Sequence, residues 1–117
     1  MDVLRKIVSK QDIFKEYCKI LNGVMGLSPR EADLFSFILK QDSTMVPGTN
    51  INGKGIRKQA MAELHLNDTN LSRYLGVLKG KGLVVRGAKG WVLNDSIRPT
   101  FKDGSINLKF ILELGGA

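Results

Sequence analysis

Between Gly55 and Asn94 the hydrophobic period changes in a fixed order, and that order leaves few folds open to the chain. Ile56, Ala60, Met61 and Leu64 recur at helical spacing, which predicts a helix over 56–64 with these four facing inward. His65 to Asp68 breaks the pattern; Leu66 plugs the turn, and Asn67 is a residue type that caps helices. Leu71, Leu75 and Leu78 mark the inner face of a second helix over 68–81, flanked by Tyr74 and stopped by Gly80 and Gly82. Leu83-Val84-Val85 and Trp91-Val92-Leu93 are short β-type runs joined by a basic turn, Arg86-Gly87-Ala88-Lys89-Gly90. The order is helix, turn, helix, hairpin.

Upstream, Ile13, Phe14, Tyr17, Ile20, Leu21 and Val24 follow one face of a helix from about Ser9 to Val24, with Lys10, Lys15, Glu16 and Lys19 opposite. Asn22-Gly23 and Gly26 stop it. Leu4, Ile7 and Val8 either extend this helix or form an arm. Ser28-Pro29-Arg30-Glu31 is a helix start, with a capping serine, proline in the first position, Glu31 closing the capping box and Leu27 as staple. That helix runs to about Gln41 and buries Ala32, Leu34, Phe35, Ile38 and Leu39. Asp42 opens a long loop, with Asn50-Ile51-Asn52 as a candidate short strand; its length points to a contact role or to disorder. Gly53-Lys54-Gly55 lacks the spacing of a phosphate-binding loop. Beyond Asn94 comes an extended stretch held by Pro99 and a turn at Asp103-Gly104. Apolar residues then alternate from Ile106 to Leu114, as in a strand, although Ile111 interrupts the polar side and leaves a short helix as the alternative.

This pattern divides the chain into an N-terminal helix (1–26), a central unit (27–94) and an extended segment with a terminal strand (95–117), of α+β class. The N-terminal helix packs on the core or pairs with its copy in a homodimer. The terminal strand joins the hairpin as a third strand or pairs across a two-fold axis.

Composition narrows the function. A single cysteine, Cys18, permits no internal disulfide and is read as a small apolar helix residue; with a single histidine, no Cys/His zinc site can be assembled. No run approaches a membrane span, and the first residues lack the apolar core of a signal peptide, so a cytoplasmic location is expected. No paired carboxylates or nucleophile–base set suggests an enzyme or calls for a cofactor. The net charge is +7, and residues 54–102 carry it all: ten bases against three acids, the remainder being balanced. A basic excess confined to one segment is what neutralising a phosphate backbone requires.

At Leu71-Ser72-Arg73-Tyr74-Leu75, Leu78 and Lys81-Gly82-Leu83-Val84 the chain resembles winged helix-turn-helix regulators of the MarR-like kind, over roughly residues 28–94. In overall layout it is also similar to small winged-helix proteins of phages and plasmids. The long loop before Ile56 and the C-terminal strand depart from that pattern. The resemblance implies a protein binding double-stranded DNA, with helix 68–81 in the major groove and the hairpin as a wing on the backbone or in the minor groove. Thr69, Asn70 and Arg73 are then the candidate base contacts. Lys54, Arg57, Lys58, Ser72, Lys79, Arg86 and Lys89 are the candidate backbone contacts. Asp68 is expected to cap the helix or to accept from cytosine, with capping favoured, and Trp91 to belong to the base of the hairpin core. A transcription regulator is the leading expectation. The alternatives are an interaction module docking on RNA polymerase or a replication protein, and a replication initiator.

Overall fold

Helix α2 (Pro29–Thr44) begins with the expected capping box: the Glu31 N–H donates to Ser28 Oγ at 3.3 Å, and the Ser28 N–H donates to Glu31 Oε1 at 2.9 Å. Around it the computed structural model, which describes residues 7–9, 12–46, 48–98, 101–102 and 105–106, arranges three further helices. These are α1 (Ile13–Met25), α3 (Lys54–Leu64) and α4 (Asp68–Gly80). An antiparallel hairpin of β1 (Val84–Gly87) and β2 (Gly90–Leu93) follows α4, so the chain is α+β. A 3-10 turn (Asp95–Ile97) leads to a second, smaller hairpin of β3 (Phe101–Lys102) and β4 (Ser105–Ile106). No helix among the described residues is long and apolar enough to cross a membrane.

α2 packs against α1, α3, α4 and β2. It therefore buries more than one stripe: Phe37 joins Leu34, Phe35, Ile38 and Leu39 in the core, whereas Ala32 is only partly covered. Leu71, Leu75 and Leu78 of α4, Ala60 of α3, and Leu83, Val84 and Leu93 of the hairpin complete the same cluster. Burying a side chain of this size contributes about 1.5–3 kcal/mol.

α1 docks on α2 through Tyr17, Cys18 and Leu21, with Phe14 and Met25 along the same helical row. This corrects the expected face. Ile20 and Val24 stand 45% and 53% exposed, because the row 14, 17, 18, 21, 25 covers α2 and leaves them to one side. Burial, above all, pushes the Cys18 thiol up to about 12, as suits a packed rather than a reactive residue. α1 starts at Ile13 rather than Ser9; residues 7–9 are irregular, and Leu4 lies outside the described residues.

The loop after α2 is shorter than its composition suggests. Ser43 and Thr44 hydroxyls donate to the carbonyls of Lys40 and Gln41, and Arg98 grips Asp42, so the helix continues past Gln41 to Thr44. α3 in turn starts two residues before Ile56. Asn50-Ile51-Asn52 is a turn, not a strand, yet it docks on the hairpin: the Ile51 N–H donates to the Trp91 carbonyl at 2.8 Å, and Asn50 Oδ1 accepts the Trp91 N–H at 3.1 Å. Ile51 is buried.

That docking occupies the outer edge of β2 at Trp91. β4 pairs instead with β3, Phe101 opposite Ile106, in a separate sheet, so among the described residues the first hairpin keeps two strands. Local closure also favours the near partner. The rest of that strand, to Leu114, lies outside the described residues, as do Pro99 and the turn at Asp103-Gly104. Within the first hairpin the turn is tighter than expected. Arg86 belongs to β1 and pairs with Trp91, leaving Ala88-Lys89 as the tip. Gly90 has φ 131°, and a Cβ there would meet Asn50 Cγ at 2.5 Å.

Two glycines predict opposite outcomes. Gly23, inside α1 with open space around it, is expected to accept alanine with a gain of about 1 kcal/mol. Gly90→Ala is expected to cost about 2 kcal/mol or more, since both backbone and space forbid the methyl. Urea unfolding of the two variants measures both signs.

Candidate nucleic-acid interface

The inner face of α4 is fixed by Leu71, Leu75 and Leu78, so helical geometry turns Thr69, Ser72, Arg73, Gly76 and Gly80 outward, and all five are exposed. Asn67 caps the helix, its Oδ1 accepting the Asn70 N–H at 2.7 Å. Asn70 is half-buried at the side of this stripe. Nothing lies within 4 Å of a Cβ built at Gly76 or Gly80, so the middle of the stripe is an open shelf of backbone. The Arg73 guanidinium sits 5.1 Å from the Tyr74 ring centroid and donates to its hydroxyl at 3.3 Å; the side chain makes no ion pair among the described residues.

Asp68 is not the cap; its carboxylate belongs to an ion pair. Arg57, 18% exposed, donates through Nη2 to Asp68 Oδ1 at 2.7 Å and to Ser72 Oγ at 2.8 Å. Through Nη1 it donates to Asn52 Oδ1 at 2.6 Å. A cation expected at the backbone of a nucleic acid is thus committed inside the fold, where it joins the loop, α3 and the first two turns of α4. Other bases are similarly committed. Lys81 donates to the carbonyls of Met25 and Gly26, closing the C-terminus of α1. Arg30 does the same for α3 through Leu64 O at 2.9 Å. Arg98 pairs with Asp42 and Asp95.

The exposed side chains of Lys54 and Lys58, one turn apart on α3, and of Lys89 at the hairpin tip make no hydrogen bond or ion pair among the described residues, and the same holds for Lys15 on α1 and Lys40 on α2. Lys79 and Arg86 meet on Trp91. The β1–β2 register sets Arg86 opposite Trp91, and the twofold strand period puts both on the face of the hairpin that carries buried Val84 and Leu93. That face meets α4, whose Lys79 ammonium lies 4.0 Å from the indole centroid; the Arg86 guanidinium lies 5.7 Å away. Trp91 is therefore part of the hairpin core, as expected, and also the support on which two cations rest. Burial first, then the charges of Arg57 and Arg86, pushes Lys79 below its ordinary value.

Asn50 and Asn52 escaped the sequence reading. Both serve as tethers, Asn50 Oδ1 also accepting the Asn52 N–H at 2.9 Å. The signal for them was the Asn-x-Asn turn chemistry around an isolated buried Ile51. Comparison with known proteins returns no matching family model, no matching curated protein and no matching solved structure.

Because repulsion and burial oppose the Lys79 charge, Lys79→Met is expected to melt at the wild-type temperature or slightly above near neutral pH. A folded value below the unfolded one means that the unfolded chain holds the proton more tightly. Wild-type stability is therefore expected to rise relative to Lys79→Met as pH climbs through the lowered value toward 10.5. Melting curves of both proteins across alkaline pH check the sign.

Proposed function

We propose that the chain is a winged helix-turn-helix protein that binds double-stranded DNA in a sequence-specific way and regulates transcription. In this reading α4 enters the major groove, with Thr69, Asn70 and Arg73 at base edges. Lys54, Lys58, Ser72, Lys79, Arg86 and Lys89 contact the phosphate backbone, with the β1–β2 hairpin as the wing. The observation that carries it is the pairing of an exposed, unobstructed polar stripe on α4 with uncommitted cations on the elements at either side, α3 and the hairpin. Burial first, and then the neighbouring charges of Arg57 and Arg86, disfavour the charged form of Lys79, and a nearby phosphate would favour it. Arg73 offers the parallel donors that guanine accepts, and its stacking on Tyr74 limits the freedom it must lose on binding.

A docking module for a polymerase or a replication complex is the second reading. It is favoured by α1, which leaves Ile20 and Val24 exposed to one side of the row that covers α2. A replication initiator would share the DNA contacts of the first.

Gel shift against a mixed-sequence duplex and a random-sequence pool, across a salt series, separates these readings. A specific regulator is expected to enrich a motif and to show a log–log salt slope of about −4 to −5 per chain, for five backbone cations. Arg73→Ala is expected to lose about ten- to hundredfold in affinity for the motif and far less for unrelated duplex. Equal losses on both would exclude base reading by Arg73, and no binding at low salt would leave the docking module.

A further inference from the structure

The arrangement around Arg57 assigns this residue a part distinct from its neighbours on α3. We propose that Arg57 is a positioning residue that sets the Ser72 hydroxyl to donate outward to a phosphate oxygen, and that it does not itself contact the nucleic acid. The inference rests on the DNA-binding reading above and specifies the chemistry of one contact within it.

A serine hydroxyl accepts and donates, and its proton rotates to whichever partner is available. Here Ser72 Oγ already accepts from Arg57 Nη2 at 2.8 Å. With an acceptor site so occupied by a cationic donor, the O–H is left to donate, and Ser72 is exposed on the outward stripe of α4. A nearby guanidinium also makes the hydroxyl a better donor, by polarising it. The group that matches is an oxygen with lone pairs and no proton, which is what a backbone phosphate presents. A base-edge amino group does not, and the base-edge carbonyls, being neutral, are weaker acceptors for a hydroxyl polarised by a cation than the phosphate anion is.

The guanidinium is held by two anchors. Asn52 fixes Nη1 from the loop, and Asp68 fixes Nη2 from the first residue of α4. Asn52 is joined through Asn50 to Trp91 of the hairpin. A continuous polar circuit therefore runs from the hairpin, through the loop and Arg57, to the first two turns of α4. It fixes the reach of Ser72 relative to Lys79 and Arg86, which would grip neighbouring phosphates. A lysine keeps the charge but has a single nitrogen and cannot reproduce this fork.

The test is a double-mutant cycle in DNA binding, read by fluorescence anisotropy on a short labelled duplex well below the melting temperature of every variant. Ser72→Ala is expected to weaken binding about tenfold. Arg57→Lys is expected to weaken it to a similar degree in spite of the retained charge, and the double variant no more than about twofold beyond the weaker single. Arg57→Gln is expected to leave the salt slope unchanged, since no phosphate contact of Arg57 is lost. Multiplicative losses, full rescue by lysine, or a slope reduced by about 0.9 in Arg57→Gln would each overturn the inference. If Arg57 variants do not fold, Asn52→Ala replaces them. It frees Nη1 without altering α4, and is expected to weaken binding when Ser72 is present and to have no effect on Ser72→Ala. Equal loss in both backgrounds overturns the inference. If the wild-type protein binds no duplex, the DNA reading itself fails, an outcome distinct from wild-type binding with independent losses.

Discussion

The packing of α2 sets the position of everything else. α1, α3, α4 and β2 all rest on it, and Leu34, Phe35, Ile38 and Leu39 are at most 3% exposed. Close-packed interiors transmit displacement, so a shift of this helix would move α3, α4 and the hairpin together. The spacing between α4 and the hairpin, on which any two-element grip of a ligand depends, is thus a property of the core before it is a property of the surface. The capping box and Pro29 at its start make the position of α2 along its own axis a local matter, decided by four consecutive residues.

Over this apolar frame lies a second layer of polar joints, and it consumes much of the positive charge. Helix C-termini carry unsatisfied carbonyls and partial negative charge. α1 has no base in its own last turn, and neither does α3; Lys81, just past the end of α4, and Arg30 of α2 supply the need. Arg98 holds the segment after the hairpin to Asp42, and the Tyr17 hydroxyl donates to the Ile97 carbonyl beside it. Arg57 ties the loop to α4. A basic residue in this chain is thus either a joint or a surface charge, and a count of lysines and arginines does not separate the two.

Two of the surface charges that remain are organised by Trp91. Its indole receives Lys79 from α4 and Arg86 from the hairpin, which holds two long side chains close to each other at the junction of two elements. Ordering such side chains costs entropy, and grouping like charges costs energy. Cation–aromatic contact offsets part of both. Under the proposed function this prior assembly would reduce the ordering that binding a phosphate requires.

The sequence was sufficient for whatever depends on near neighbours along the chain. The helix starts at Ser28 and Asn67, the buried leucines of α4, the stops at Gly26 and Gly82, and the hairpin order were all legible, because capping, periodicity and glycine conformation act over a few residues. The candidate surface stripe of α4 followed from the same leucines by helical geometry. What the tertiary structure decided were pairings between distant positions. Arg57 is drawn to Asp68 and Ser72, Trp91 to Lys79, and Asn50 to the edge of β2, and α1 turns Cys18 rather than Ile20 inward. A side chain's local pattern states which face of its element it occupies. Whether that face meets solvent, a carboxylate or another helix depends on how the elements pack, and that is fixed by the complementary shapes of surfaces that lie tens of residues apart in the chain.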